Sequence, residues 1–324
     1  MSHRFGLILL FLLICAASWA QIEDETFDGP HIDKLIGEGK YEEAFEFLKA
    51  GIEKNNTLQT YSATYYAGLG KFYMEVGRPK DAGEALKVAE TVSSRTGLGN
   101  GFTAREMAAF LLMQGDYGAA ASWATKAIRE SSYRKADKIV LAFCRSLEAM
   151  ARLRSGDLKR AETLIREALR DVPKSRDAPP LFASRTLFAA CVIESHRANY
   201  EEAQDLCRRG LKVLENKKVD SRDISLAHLA LAESHFLSGD FARSREFLTK
   251  SMEHTAEMFQ PQHQDTVSAL DLMARVDLKE AKLADALAHA KAAVDMAVAI
   301  FGEGAGGTKG AKRTLQEATK ANAK

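Results

Sequence analysis

The residue types best suited to chemistry are few and scattered. Gly302-Glu303-Gly304-Ala305-Gly306-Gly307-Thr308-Lys309-Gly310 has the glycine density of a phosphate-cradling loop. Such a loop needs Gly-Lys-Ser/Thr in that order, after a strand, so that backbone N–H groups ring the phosphate and the lysine reaches it. Here Thr308 precedes Lys309 and a helical pattern precedes both, so a plain connecting loop is expected. His228 and His235 fall seven apart on one helical face, with His196 one unit earlier. A metal site needs converging ligands and polar groups that orient them; these histidines occupy core-type positions, so no metal and no other cofactor is expected. No His-Glu-x-x-His, paired-cysteine zinc spacing or serine-nucleophile motif is present. Catalysis is therefore not expected. Cys191 and Cys207 lie about equally far on either side of Asn199. Either they form a disulfide across one helical hairpin, or they are two small core residues. Asn55-Asn56-Thr57 has the form of a glycosylation acceptor.

The elements that must position these residues begin after a leader. Arg4 precedes an apolar run from Gly6 to Cys15, and Ala16-Ala17-Ser18-Trp19-Ala20 places small residues at minus three and minus one. This predicts a secretory signal peptide over residues 1–20, cleaved after Ala20. The apolar run is short for a bilayer span, and every later run is broken by charge. The expected destination is the periplasm or the outside of the cell. Removing residues 1–20 takes Arg4 from the 45 basic residues and leaves 44 against 44 acidic. That balance gives no global field toward nucleic acid. Few prolines (6) and much Ala, Leu, Glu, Lys and Arg make the composition helical.

One phrase recurs: a small residue, a polar one, an aromatic or aliphatic one, two charged or small residues, then Ala. It starts at Gly39, Gly77, Gly115, Gly156, Ala198, Gly239 and Ala281, at successive spacings of 38, 38, 41, 42, 41 and 42. The small residue ends one helix, the polar residue starts the next, and the terminal Ala lets the two approach closely. Apolar residues follow at helical spacing, as in Ala44, Leu48 and Ile52, or Ala161, Ile165 and Ala168. The preceding segments carry the matching face, such as Tyr66, Leu69, Gly70 and Tyr73.

A large aromatic, then Leu-Gly, then Tyr, followed by Gly, an aromatic and a bulky residue between two alanines, resembles the tetratricopeptide repeat family. The resemblance covers about residues 30–300. The longer C-terminal period, with Phe259-Gln260-Pro261-Gln262-His263-Gln264-Asp265-Thr266 before the last unit, resembles the kinesin-light-chain-like subtype. The pattern has departures: Glu148 and Arg152 where the first helix of unit four should be apolar, Ser244 for Ala, and a first helix of unit one broken by Gly29-Pro30. The expected fold is all-α, an alpha-alpha superhelix (solenoid) of about seven helical hairpins. A linker spans 21–29, the superhelix 30–300, and a loop with a fraying capping helix 301–324. A single hairpin cannot bury its apolar face, so neighbours stack into one continuous core.

The resemblance implies that first helices line a concave groove that holds a peptide or a protein surface. Carried over position by position, the groove residues are Lys71, Met74, Phe102, Arg105, Phe143, Met150, Arg185, Phe188, Glu233 and Arg275. Phe102, Phe143 and Phe188 could instead pack between neighbouring repeats. Members that clamp a C-terminal carboxylate use Asn where this chain has Lys71 and Glu106, which disfavours that ligand. The expected function is a non-catalytic exported scaffold for a peptide or protein partner. The alternative is a structural, self-assembling subunit of an envelope or secretory complex.

Overall fold

A computed structural model describes residues 29–55, 62–96, 101–133, 137–172, 180–216 and 221–323. The expected leader, most of the linker and two members of the Asn55-Asn56-Thr57 triplet lie outside them. Among the described residues there are fifteen helices and no strand. They form seven antiparallel pairs: α1 (Gly29–Gly37) with α2 (Tyr41–Asn55), α3 (Ser62–Glu75) with α4 (Pro79–Thr96), and α5 (Gly101–Gln114) with α6 (Tyr117–Tyr133). Then come α7 (Lys138–Arg154) with α8 (Leu158–Asp171), α9 (Pro180–His196) with α10 (Tyr200–Asn216), α11 (Arg222–Ser238) with α12 (Phe241–Met258), and α13 (Gln264–Lys279) with α14 (Leu283–Phe301). A last helix, α15 (Gly306–Asn322), follows.

The recurrent phrase builds every hairpin turn. All seven of its first residues have positive φ, between 58° at Ala281 and 88° at Gly156. Five are glycine, for which this conformation is free; Ala198 and Ala281 take it at a cost of roughly 1–2 kcal/mol each. In each turn the next residue's N–H returns to a carbonyl five positions back, as from Asp116 to Leu111 O (2.9 Å) or Asp240 to His235 O (2.9 Å). That bond closes the helix end. Asp116, Asp157 and Asp240 then cap the following helix by accepting from the N–H three residues on, each at 3.1 Å. The phrase's final Ala is buried in six units. In the remaining unit Ser244 is also buried, and its hydroxyl donates to Ala232 O (2.9 Å), which is why a polar residue is tolerated there.

Two local expectations need correction. Gly29-Pro30 opens α1 rather than breaking it; proline suits a helix's first turn, where its missing N–H has no partner to lose. The final helix starts at Gly306, within the segment expected as loop and fraying cap, and it is packed rather than frayed: Ala311 and Ala318 are buried. Glu148 of α7 is buried too, paired with Arg152 (3.5 Å) and Arg160 (4.0 Å).

Stacked hairpins place α1, α3, α5, α7, α9, α11 and α13 on the inside. The coil is tight enough that its ends meet across the axis. Besides sequential neighbours, α9 touches α1, α14 touches α4, and α15 touches α5. The coil therefore closes into a ring, and its concave side is a chamber open to solvent rather than a trough with free ends.

Candidate functional site

What closes the coil is a buried seam of charge. Arg185 of α9 donates from Nε to Asp223 (2.6 Å) and from its terminal nitrogen to both Glu75 oxygens (2.8 and 2.9 Å), bridging helices 110 residues apart in sequence. Arg222 forks onto Asp265, Nε donating to one oxygen and a terminal nitrogen to the other (2.8 and 2.7 Å), and approaches Glu75 (3.8 Å). Two parallel N–H···O bonds to one carboxylate fix direction as well as distance. At the start of α13, His263 Nδ1 accepts from the Asp265 N–H (3.1 Å), so its proton sits on Nε2, which donates to Glu75 O (3.1 Å). Gln264 Nε2 donates to Met74 O. These two side chains satisfy carbonyls that the end of α3 would leave without partners. On the other flank, Lys80 Nζ donates to Ala299 O (2.9 Å). Gly306 lies so close to the α5–α6 turn that a Cβ there would stand 2.6 Å from Gly115 O.

The seam continues toward α1. Lys71 Nζ donates to Asp33, and Arg105 donates to both Asp33 oxygens (2.7 and 2.8 Å) and to Glu106 (2.7 Å). Phe102 and Phe182 hold the Arg105 guanidinium between them, with ring centres 4.6 and 4.8 Å away. Asp33, Glu75, Glu106, Asp223 and Asp265 thus face four cations, Lys71, Arg105, Arg185 and Arg222. Burial works against the Glu75 and Asp265 carboxylates, but the adjacent arginines outweigh it and hold both below the usual range. At Asp223 burial wins over Arg185 and lifts the carboxyl. Burial likewise lowers the His263 ring, consistent with a neutral, bridging imidazole.

The closed coil leaves an interior chamber of about 700 Å³. This is the size range of small-ligand sites, far below a folded domain. Its apolar wall is Phe143, Leu147 and Met150 of α7, Phe188 and Val192 of α9, and Leu226 and Leu229 of α11. Phe143 stacks on Phe182 (5.0 Å), and Phe188 fits against Gly210, where a Cβ would stand 2.3 Å from the ring. Facing this wall, α13 presents Gln264, Ser268, Asp271 and Arg275, and α15 adds Arg313, Thr314 and Glu317. Arg154 and Glu233 form a forked pair (2.7 Å twice), joined by His196 at 2.9 Å. Burial opposes the Glu233 carboxylate, yet Arg154 and His196 keep it well below its ordinary value. Arg275 lies 4.7 Å over Phe236. Two buried oxygens at this chamber, Gln264 Oε1 and Asp271 Oδ1, have no hydrogen-bond partner. Each such atom costs about 1–3 kcal/mol.

Seven of the ten residues expected at the groove border the chamber: Met74, Phe143, Met150, Arg185, Phe188, Glu233 and Arg275. Lys71, Phe102 and Arg105 do not; they are buried in the seam beyond its end. Phe143 and Phe188 do both things weighed for them, packing between repeats and facing the chamber. Sequence reading missed Glu75, Arg222, His263, Gln264, Asp265 and the share of the chamber wall that α15 supplies. Part of the signal was available, since Asp33–Lys71, Arg185–Asp223 and Arg222–Asp265 pair at separations of 38, 38 and 43, close to one repeat. Cys191 and Cys207 form a disulfide between α9 and α10 (Cα–Cα 5.5 Å), directly behind the Phe188–Val192 wall. Cys144 is buried and free, and burial pushes its thiol up to about 12. Among the described residues no His, Cys, Asp and Glu group is arranged to hold a metal, and no helix is long and apolar enough to cross a membrane.

Residues 223–297, essentially α11 to α14, match the family model of the tetratricopeptide repeat. No curated protein matches the sequence. Among solved structures, the chain resembles a chain of the APC/C hetero-tetramer Cut9–Hcn1, at 12% identity and a TM-score of 0.55, over 95% of this chain and 52% of that one. It therefore spans about half of that protein. It also resembles a tetratricopeptide repeat protein from Parabacteroides merdae (17% identity, TM-score 0.50, 94% of this chain and 99% of that one). A third is NprR in complex with its cognate peptide NprX (13% identity, TM-score 0.55, 86% and 83%). These likenesses establish an all-α superhelix of tetratricopeptide type.

Proposed function

We propose that this chain is a non-catalytic scaffold that takes a short peptide segment of a protein partner into its central chamber. The observation that carries this reading is the chamber itself: an apolar wall facing a polar helix, inside a fold of a class that commonly serves protein–protein interaction. NprR, a structural neighbour, was solved with its cognate peptide, which supports a peptide as the kind of occupant. The outer surface supplies little to compete, because Val88 is the one exposed large apolar residue among the described residues. That weighs against the alternative of a self-assembling envelope subunit.

Export belongs to the same proposal. Its support is the leader pattern of residues 1–20 and a disulfide, which persists in oxidising compartments. The kinesin-light-chain-like character of the C-terminal units is proposed on the Pro261–His263 loop, whose histidine caps α13. The test is recovery of partners by the tagged chain from cells that secrete it, with and without Ala109→Trp, which fills the chamber from α5. The expected result is loss of recovery at an unchanged helical content. Equal recovery by the filled variant would overturn the chamber as the binding site.

A further inference from the structure

We propose that the joint between α3 and α13 is an acid-operated gate of the chamber, shut while the His263 imidazole bridges the two helices as a neutral ring and open once that ring takes a second proton. The proposal rests on the peptide-binding reading only in making release of the occupant its consequence.

Two joints of unlike chemistry close the ring. Where α3 meets α9 and α11, buried charge holds: Arg185 grips Glu75 and Asp223, and Arg222 lies 3.8 Å from Glu75. Where α3 to α6 meet α13 to α15, the contacts are single hydrogen bonds and backbone packing: His263 to Glu75 O, Gln264 to Met74 O, Lys80 to Ala299 O, and Gly306 against Gly115. No carboxylate–cation pair among the described residues crosses this second joint. His263 is its most committed group, with no exposure to solvent. Nδ1 accepts the Asp265 N–H that opens α13 (3.1 Å), and Nε2 donates to Glu75 O at the end of α3 (3.1 Å). Phe259 stacks on the ring at 5.1 Å, and the α3–α4 turn lies so close that a Cβ at Gly77 would stand 2.5 Å from it. Neutral imidazole offers one donor and one acceptor; the charged ring has two donors and no acceptor. A proton on Nδ1 would point at the Asp265 N–H, and the packed ring has no room to turn away while the joint stays shut. The facing charges do not rescue it. Asp265 of α13 comes to 3.6 Å from Nδ1 but is forked by Arg222 of α11, and Glu75 of α3 is held by Arg185 of α9. Burial outweighs both carboxylates and lowers the ring. The open joint therefore takes the proton, since its freed imidazole titrates near pH 6.5. By linkage, going from pH 7.5 to pH 5 raises the ratio of open to shut by as much as about thirtyfold. No hairpin has to melt, because stability in a repeat array resides in each unit and its nearest neighbours.

The test is hydrogen exchange read by mass spectrometry on the full, disulfide-intact chain between pH 7.5 and pH 5, each rate being divided by the intrinsic rate at that pH. Peptides around Asp265 and Val76 report the two sides of the joint, and peptides of α7 and α8 serve as reference. The expected result is a loss of protection of about ten- to thirtyfold on both sides of the joint, with the reference unchanged. His263→Gln keeps a donor and an acceptor but takes no charge, so its protection should stay constant. The same constancy is expected when Lys80→Cys and Ala299→Cys are joined by a short bismaleimide, while the unlinked pair should respond like the parent. That comparison keeps the test decisive even if His263→Gln does not fold. Constant protection in the parent would overturn the gate. So would a loss confined to the α13 peptide, or one that survives the cross-link, since either would mark fraying of α13 alone. Partner recovery that falls at acid pH in the parent but not in His263→Gln would tie the gate to release. Recovery indifferent to Ala109→Trp would remove the peptide-binding reading and leave the gate standing, whereas constant protection would remove the gate and leave that reading.

Discussion

Arg185→Leu is the sharpest probe of the closed coil. It removes one cation that three helices share: Glu75 on α3 and Asp223 on α11 both lose a forked or short partner while staying buried. Stranding one member of a buried pair costs about 3–5 kcal/mol. Two features of the site pull the value toward the lower end. Burial already lifts the Asp223 carboxyl, and Glu75 keeps Arg222 at 3.8 Å. The expected loss is therefore about 3 kcal/mol, which for a chain of this size lowers Tm by roughly 6–12 °C. In a repeat array that loss is local. Hydrogen exchange should accelerate in α3, whose link across the axis is cut, and much less in α7 and α8. Urea unfolding gives the total, and exchange read by mass spectrometry gives its location. Arg166→Leu, which breaks an exposed pair with Glu162, serves as control and should cost under about 1 kcal/mol. An Arg185→Leu variant within 1 kcal/mol of the parent, or one with unchanged exchange at the end of α3, would refute the claim that this seam holds the coil shut.

Mass spectrometry of unreduced peptides should recover Cys191 linked to Cys207; replacing both with Ala should cost about 3 kcal/mol, given a sequence separation of 16. Buried Cys144 should resist alkylation until the chain unfolds. Stability should also fall on the acid side. Burial lowers His263, which faces Asp265, Arg222 and Glu75, and lowers His228, beside His254 and Lys250, to about 4. The unfolded chain takes up those protons first, near pH 6.5, so stability present above that value declines as pH falls toward 4. His263→Gln should flatten part of that slope, and an unchanged profile would contradict the bridging imidazole. Gly210→Ala should cost about 1–3 kcal/mol by overpacking, because a Cβ there meets the Phe188 ring at 2.3 Å; a melt identical to the parent's would mean the α9–α10 contact is loose.

The hairpins were legible because their information is local. A small residue with positive φ, a capping Asp and a buried Ala recur within six positions, and each follows from backbone chemistry that the residue types announce. The closure was not legible, because Arg185 and Glu75 meet only after the coil has turned through several repeats, and small rotations per repeat decide whether they do. An open trough and a closed chamber share the same hairpin code. Lys71, Phe102 and Arg105 were placed at the groove by repeat position, and the seam takes them because the pitch brings Asp33 within reach of both cations. The role of α15 was hidden for a related reason. Its glycine-rich start reads as a loop, yet the missing side chains at Gly306 and Gly115 are what let the last helix press against α5.

The central claim is that the two ends of the array meet across the axis. Spin labels at Lys80→Cys and Ala299→Cys test it most directly, since the two positions share a hydrogen bond between α4 and α14 and Cys144 is too buried to compete for label. Pulsed electron–electron resonance on the disulfide-intact chain should return one narrow distribution at short distance, with or without peptide. A broad distribution centred far beyond contact would show an open superhelix, and the chamber would not exist in solution.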